Sequence, residues 1–325
     1  MISVKNLTKY YGDHLAVDNI SFDISQGQVY GFLGPNGAGK STTMNIITGL
    51  LSPTNGKVMI GKYDIFENPN EAKKLIGYLP EQPPLYSNET PMEYLTFVGE
   101  AKGLKNEELY KKISDVINKT GIYEVRNKRI STLSKGYKQR LGIAQALLGN
   151  PKVIILDEPT VGLDPIQIIE IRELIKELGK THTVIFSSHI LSEVQAICDQ
   201  IIMIAKGKLV AFGKPEEIQK QLLSSNEIVL TTDATIEEIK TYLKENKDIT
   251  NINKEDVKSK YNIIHIKTNL ENIYDLSSLI FSKLAKNKKI IYEMSVKKGT
   301  LEDIFIELSD GNNNKIVNES KGDNK

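Results

Sequence analysis

The stretch GPNGAGKS, residues 34–41, lies between the apolar run VYGFL and the helix-like run STTMNIITGLL. It fits the pattern G-x-x-x-x-G-K-[ST] in the strand, loop and helix order that the pattern requires. Gly34, Gly37 and Gly39 allow the backbone to turn until several N–H groups point at one phosphate. The helix after the loop adds the positive end of its dipole. The stretch therefore predicts a nucleotide-phosphate site on an α/β domain.

Two side chains at the end of this loop have defined roles in phosphate chemistry. We expect Lys40 to bridge the β- and γ-phosphates of ATP and the Ser41 hydroxyl to bind Mg²⁺. A glycine-rich turn with an incidental lysine is the alternative, and the flanking strand and helix argue against it. The residues expected to bind ATP at this loop are Gly34, Pro35, Asn36, Gly37, Ala38, Gly39, Lys40, Ser41 and Thr42.

A second polar cluster follows the apolar run KVIIL, where Asp157 and Glu158 begin the segment DEPT. In open α/β sheets, ligands sit at the carboxyl ends of strands. We expect Asp157 to hold Mg²⁺ through its water shell and Glu158 to polarise the attacking water as a general base. His189 ends the strand-like run TVIFSSH and is expected to reach the γ-phosphate from the same edge. The alternatives are an exposed acidic turn and an ordinary solvated histidine.

The composition favours no charged partner. The 325 residues include 42 Lys and Arg against 41 Asp and Glu, so no long-range field favours nucleic acid or anionic lipid. Cys198 is the single cysteine and cannot form an internal disulfide, which fits a reducing compartment. The N-terminal residues do not resemble a signal peptide, and no apolar run approaches the roughly 18 residues of a membrane span. These features predict a cytoplasmic chain that binds no nucleic acid.

The order of apolar runs predicts the layout of the larger domain. Residues 1–33 read as antiparallel strands that lead into one buried strand. Residues 83–140 read as an inserted helical subdomain because apolar residues recur at spacings of three and four. Strand-like and helix-like runs alternate elsewhere, as in a largely parallel sheet. Within the insertion, LSKGYKQR at 133–140 reads as a basic loop just before an apolar helix.

A composition shift near residues 215–225 marks a predicted domain boundary. Beyond it the runs read strand, helix, strand, strand, helix, strand, which is the ferredoxin-like βαββαβ unit. A last helix, TLEDIFIELSD, is predicted next, and the polar residues after it are expected to be disordered. The predicted parts are an α/β domain at 1–220, an accessory α+β domain at 221–309 and a tail at 310–325.

The phosphate loop, LSKGYKQR, LDEP and SSH follow one another in an order that resembles the nucleotide-binding domain of ABC (ATP-binding cassette) transporters. The resemblance covers residues 1 to about 215. It implies a P-loop NTPase fold with a RecA-like core, an antiparallel β subdomain and an inserted helical subdomain. It also implies a two-fold head-to-tail dimer in which the signature residues Ser134, Lys135 and Gly136 face the partner's ATP.

The resemblance assigns further positions. Tyr11 in KYYGD matches the aromatic residue that stacks on adenine, and a plain core or surface tyrosine is the alternative. Asp164 in VGLDP matches a loop that contacts the partner subunit near Glu158. The family's glutamine loop matches IGYLPEQPPLY, where Glu81 stands in the place of the usual glutamine and Gln82 follows. Either Gln82 takes the role after a one-residue shift, or Glu81 itself binds the metal or its water.

In the signature, Lys135 stands in the place of the family's first glycine and Tyr137 in the place of its glutamine. These departures, the one at Glu81 and the small second domain are similar to the branch that serves ABC-2 type exporters and gliding-motility, sodium and drug efflux systems. The resemblance implies an ATPase that dimerises on ATP, as a homodimer or a pseudo-symmetric pair. It would power a separate integral-membrane permease from the inner face of the cell membrane, with the permease docked on residues 83–130. The alternative is a soluble ABC ATPase acting on ribosomes or DNA. This chain lacks the second phosphate loop or the long coiled coil typical of those proteins.

Overall fold

The computed structural model describes residues 1–222, 226–255, 261–268, 270 and 272–297. The chain forms two compact units and passes from the first to the second between Pro215 and Glu216. The predicted helix TLEDIFIELSD and the predicted disordered tail lie outside the described residues.

An antiparallel sheet begins the first unit. Its strands are β1 (Ile2–Tyr11), β2 (His14–Ile24), β4 (Asn55–Ile60) and β5 (Tyr63–Asp64), in the order β2-β1-β4-β5. Buried and exposed residues alternate along the end of β2, which is the pattern of a strand with one face on the core. This sheet carries Tyr11 at the last position of β1.

A largely parallel sheet forms the centre of the first unit. Its strands are β3 (Val29–Leu33), β6 (Ile76–Leu79), β7 (Val153–Leu156), β8 (Thr183–Ser188), β9 (Gln200–Ala205) and β10 (Lys208–Gly213), in the order β10-β9-β3-β8-β7-β6. Only the pairing of β10 with β9 is antiparallel within this described sheet. Strands β3, β7 and β8 are buried at every position. Since they are parallel neighbours, the residues after Leu33, Leu156 and Ser188 meet at one edge.

Helices connect these strands. They are α1 (Lys40–Ile47), α2 (Pro69–Lys74), α3 (Pro91–Ala101), α4 (Asn106–Thr120), α5 (Lys135–Leu147), α6 (Pro165–Gly179) and α7 (Leu191–Ile197). The start of α3 is a capping box, in which Thr90 and Glu93 each accept the other's backbone N–H; such a cap stabilises a helix by about 1 kcal/mol. In the segment expected to be helical, residues 83–90 are not helical.

One apolar core joins the two sheets and α1. It includes Phe22, Phe32, Met44, Ile155 and Ile204, and the rings of Phe22 and Phe32 have centroids 6.0 Å apart. Each side chain buried in this way contributes about 1.5–3 kcal/mol to stability. The core fixes α1 against β3 and so holds the loop between them.

The second unit has the predicted ferredoxin-like order of elements. After α8 (Pro215–Leu222) come β11 (Asn226–Thr232), α9 (Ile236–Tyr242), β12 (Ile249–Lys254), β13 (Asn262–Thr268), α10 (Ile273–Lys286) and β14 (Ile291–Lys297). The strands pair antiparallel in the order β12-β13-β11-β14. Ile228, Leu230, Ile266 and Leu276 are part of a separate apolar core. Across the described parts of the whole chain, we find no helix with the length and apolarity to cross a membrane.

Candidate active site

The phosphate loop joins β3 to α1. Gly39 is the N-cap of α1 with a φ of 101°, in the left-handed region that favours glycine. A Cβ at this position would lie 2.6 Å from the Ala16 carbonyl oxygen, so a larger residue would clash with β2. Gly37 has a φ of 77°. The two glycines thus permit the tight turn that a phosphate cradle needs.

Lys40 carries its charge into this loop. The residue is 6% exposed, and its Nζ donates to the carbonyl oxygens of Gly34 at 2.8 Å and Pro35 at 3.4 Å. Nζ also lies 3.3 Å from Glu158 Oε1. A buried ammonium requires such partners because burial without them is costly. The lysine predicted for phosphates and the glutamate predicted as base are therefore paired directly.

Asp157 lies under the loop, at the end of β7. Its Oδ1 accepts hydrogen bonds from Ser187 Oγ at 2.6 Å and from Ser41 Oγ at 3.5 Å. Burial raises the pKa of the Asp157 carboxyl, and the hydrogen bonds from Ser187 and Ser41 oppose that rise. A hydroxyl and a carboxylate are oxygen donors of the kind that Mg²⁺ takes together with phosphate oxygens. The donor set of Ser41 and Asp157 fits a magnesium ion.

Glu158 has a backbone conformation that few non-glycine residues adopt. Its φ is 47°, a conformation that costs roughly 1–3 kcal/mol and persists only when the surroundings hold it. Here the Glu158 N–H donates to Ser187 Oγ at 2.8 Å, and the carboxylate contacts Lys40 through Oε1 and His189 Nδ1 through Oε2 at 3.0 Å. Ser187 thus holds both predicted carboxylate residues.

The predicted residues surround a cavity of about 430 Å³, a size typical of small-molecule sites. It is lined by Tyr11, His14, Ala16, Pro35, Asn36, Gly37, Ala38, Gly39, Lys40, Ser41, Thr42, Glu81, Glu158, Val161 and His189. Gly34 and Asp157 are not in this lining and act from beneath it, through Lys40 and Ser41. His14, Ala16 and Val161 also line the cavity and were not among the predicted site residues.

Tyr11 lies at the rim of the cavity rather than in the core. Its side chain is 48% exposed, and Lys9 Nζ lies 5.4 Å from the ring centroid. The alternative of a core tyrosine is therefore wrong. An exposed ring at the mouth of a nucleotide cavity can stack on a planar base.

Glu81 and Gln82 differ in position. Both are exposed residues that follow β6, but only Glu81 of the two lines the 430 Å³ cavity. Gln82 lines a neighbouring cavity of about 470 Å³, together with Glu81, Lys135 and Lys138. Of the two alternatives, the geometry places Glu81 beside the phosphate loop.

The signature residues form the start of a helix, so the prediction of a basic loop at LSKGYKQR is wrong in part. Ser134 is the N-cap of α5, and its Oγ accepts the Tyr137 N–H at 3.4 Å. A Cβ on Gly136 would lie 2.7 Å from the Gln167 side chain of α6. Gly136 therefore lies in the first turn of α5, close to Gln167, and its presence did not mark a loop. Neither Ser134 nor Gly136 lines the 430 Å³ cavity.

Comparison with known proteins finds a matching family and similar sequences and structures. The ABC transporter family model matches residues 17–161. The chain is 33% identical over 310 residues to the linearmycin resistance ATP-binding protein LnrL of Bacillus subtilis, spanning 95% of this chain and 98% of that protein. It is 42% identical over 212 residues to the bacitracin transport ATP-binding protein BcrA of Bacillus licheniformis, spanning 65% of this chain and 68% of that protein. A solved dimeric ATP-binding cassette in a post-hydrolysis state, bound to ADP and Pi, is 29% identical with a TM-score of 0.60, over 66% of this chain and 98% of that one.

Proposed function

The chain belongs to the ABC transporter family as an ATP-binding subunit, and from this premise we propose that it powers export through a separate membrane permease. The family resemblance, the fold class and the assignment as a transport ATPase agree with these relatives and are confirmed. The observation that carries the proposed mechanism is the contact of Glu158 with both Lys40 and His189 in the phosphate-loop cavity.

The export direction is supported by the relatives. One is named for resistance to linearmycin and another for transport of bacitracin. The match to the resistance protein spans 95% of this chain, so it includes the second unit as well as the cassette. These names support an exporter, and the ABC-2 type is proposed on the branch resemblance of the sequence.

The adenine and the phosphates of ATP are bound by different residues of the cavity. Tyr11 stacks on the adenine, since its exposed ring lies at the cavity rim. The phosphates lie on the loop from Gly34 to Thr42, at the positive end of α1. Lys40 then exchanges Glu158 for the β- and γ-phosphates as its anionic partner.

Ser41 and Asp157 are the proposed holders of Mg²⁺. Ser41 and Asp157 would supply oxygen ligands to the ion, directly or through water, and Glu81, which lines the same cavity as Ser41, would add its carboxylate. When bound, Mg²⁺ neutralises charge on the β- and γ-phosphates. Ser187 keeps the Asp157 carboxylate aligned through its 2.6 Å hydrogen bond.

Glu158 is the proposed general base. It takes a proton from water while the water oxygen bonds to the γ-phosphorus and the bond to ADP breaks. His189 Nδ1 lies 3.0 Å from Glu158 Oε2 and orients the carboxylate; with both ring nitrogens protonated, the residue also donates to the γ-phosphate through Nε2. Once phosphate has replaced Glu158 beside Lys40, the carboxylate is free to accept the proton.

A second copy or a close homologue completes each site. Ser134 and Gly136 lie at the N-terminus of α5, whose positive dipole end favours a phosphate. They do not line the cavity of their own chain, which supports a role across a two-fold interface with Lys135 beside them. The symmetry would make the exchange reciprocal and yield two ATP sites.

The permease is proposed to dock on the helical segment at 83–130. This segment exposes Tyr86 and Phe97, at 50% and 53%, with their rings 5.4 Å apart. Exposed neighbouring aromatics are typical anchors of protein interfaces. The subunit would then lie at the inner face of the cell membrane, where the permease holds it. No nucleic-acid partner is proposed.

The proposal is tested by purifying tagged Glu158→Gln protein with ATP from gently solubilised native cells. A multi-span membrane protein in near-equal amount, reduced when Tyr86→Ala and Phe97→Ala are added to the tagged protein, is the expected result. Recovery of ribosomal proteins or DNA in its place would contradict the transport role and support a soluble ABC ATPase.

A further inference from the structure

A buried carboxylate lies outside the nucleotide cavity, in the first turn of α7. Glu193 is 2% exposed and does not line the 430 Å³ cavity. Glu193 belongs to none of the motifs described above and has no role in the proposed mechanism. A carboxylate this deeply buried needs good partners because it has lost its hydration.

The partners of Glu193 come from the two segments that carry Glu158 and His189. Its Oε2 accepts hydrogen bonds from Thr160 Oγ1 at 2.7 Å and from Ser188 Oγ at 2.9 Å. Thr160 follows Glu158 by two residues, and Ser188 directly precedes His189. One oxygen atom thus connects the segment of the base to the segment of the histidine.

The opposite oxygen is held from α6. Glu193 Oε1 lies 3.5 Å from Arg172 Nη2, so a cation offsets the buried charge. Thr160 and Ser188 are 6% and 0% exposed, and water therefore offers them no easy substitute for the carboxylate. Ser188 Oγ has a longer contact to the Ile190 carbonyl oxygen at 3.4 Å and accepts the Ile190 N–H at 3.0 Å, so the carboxylate is its shorter acceptor and the hydroxyl is held in place.

We propose that Glu193 is a positioning residue that fixes Glu158 relative to His189 through Thr160 and Ser188. The inference rests on the roles proposed above for Glu158 and His189. Glu158 has a φ of 47°, and such strain persists only when neighbouring contacts hold it. Without Glu193 the two segments can move apart, and a shift of about 1 Å in a catalytic group can lower a rate by about 100-fold.

Glu193→Ala, Glu193→Gln and Thr160→Val are compared with the native chain for ATP hydrolysis and thermal unfolding. Glu193→Ala should lower kcat by about 10- to 100-fold and leave KM for ATP within about twofold, since no binding residue is touched. Glu193→Gln keeps an oxygen acceptor for both hydroxyls and should retain kcat within about threefold. Glu238→Ala is the control, because this carboxylate caps α9 and pairs with Lys289 in the second unit.

A double variant distinguishes a positioning role of Glu193 from a role in stability alone. Thr160→Val combined with Glu193→Ala should be no slower than Glu193→Ala alone, because both break the same link. If the losses of kcat in Thr160→Val and Glu193→Ala multiply in the double variant, the inference is overturned. It is also overturned if Glu193→Ala and Glu193→Gln lose kcat and melting temperature to the same extent. If Glu193→Ala does not fold, Thr160→Val with Ser188→Ala removes both donors and should show the same fall in kcat at unchanged KM.

Glu158→Gln in the same assay separates this inference from the proposed function. If Glu158→Gln still hydrolyses ATP, the assignment of the base fails and the inference fails with it. If Glu158→Gln is inactive while Glu193→Ala keeps its native kcat, only the inference fails. Binding is checked independently: Glu193→Ala added to Glu158→Gln should leave ATP affinity unchanged.

Discussion

Lys40 Nζ and Glu158 Oε1 lie 3.3 Å apart, and their side chains are 6% and 8% exposed. The cation of the phosphate loop and the proposed base therefore neutralise each other inside the protein. A phosphate that enters the loop competes with Glu158 for Lys40. In the proposed mechanism, ATP binding and release of the base are linked through this ion pair.

Lys40→Ala removes the loop's cation and leaves the buried Glu158 without its ion-pair partner. We expect ATP affinity and hydrolysis each to fall by about 100-fold or more. Isothermal titration with ATP and a phosphate-release assay measure the two. Lys62→Ala is the matched control, since Lys62 is exposed and lies over Tyr63 away from the cavity. Undiminished ATP binding by Lys40→Ala would contradict the placement of the phosphates.

Glu158→Gln keeps the shape of the side chain and removes its ability to accept a proton at neutral pH. Hydrolysis should fall by about 100- to 10,000-fold while ATP still binds. The variant should accumulate as a dimer in ATP, which size-exclusion chromatography with light scattering detects. Hydrolysis at the native rate would exclude Glu158 as the base.

Ser187→Ala leaves the Glu158 N–H without its acceptor and Asp157 without its closest donor. The lost hydrogen bonds should lower the free energy of unfolding by about 1–3 kcal/mol. Hydrolysis should fall by about 10-fold because the base and the metal holder both lose alignment. Thr232→Val is a matched control, since Thr232 is fully buried and its hydroxyl donates to the Ile290 carbonyl oxygen in the second unit. A control with the same stability loss and the same activity loss would refute a positioning role for Ser187.

Glu81→Ala and Gln82→Ala decide which residue serves the glutamine loop. Glu81 lines the nucleotide cavity and Gln82 does not, so Glu81→Ala should lower hydrolysis by about 10-fold and raise the Mg²⁺ concentration it requires. Gln82→Ala should stay within about twofold of the native chain at every Mg²⁺ concentration. The reverse pattern would assign the role to Gln82 and the one-residue shift.

The elements that the sequence predicted well are those whose signal is local. The phosphate loop needs only its glycines, Lys40 and the adjoining strand and helix, and DEPT needs only the apolar run before it. The ferredoxin-like unit could also be predicted, because the spacing of apolar residues distinguishes its strands from its helices.

The contacts that the sequence did not predict join residues far apart in the chain. Ser187 meets Asp157 and Glu158 only because β8 pairs with β7 in the central sheet, and strand order is not encoded in a local pattern. The contacts of Glu193 could not be predicted either, because its partner Thr160 lies far from it in the sequence. The one hint was the pair of serines before His189, whose side chains point to opposite faces of the strand. At LSKGYKQR, glycine and charge suggested a loop, whereas Ser134 capped a helix.

The central claim is that each ATP site is completed by the signature serine of a second chain, which two copies of this chain can test through Ser134. Two chains are prepared with Cys198→Ser and Glu158→Gln, one tagged chain with Asn36→Cys and one untagged chain with Ser134→Cys. Asn36 lines the nucleotide cavity, and removal of the native thiol leaves each chain a single cysteine. The two are mixed with Mg²⁺ and ATP and oxidised, and non-reducing electrophoresis is used to look for a covalent dimer. We predict a mixed disulfide-linked dimer that requires ATP and both cysteines; only monomers in the ATP-bound mixture would contradict the claim.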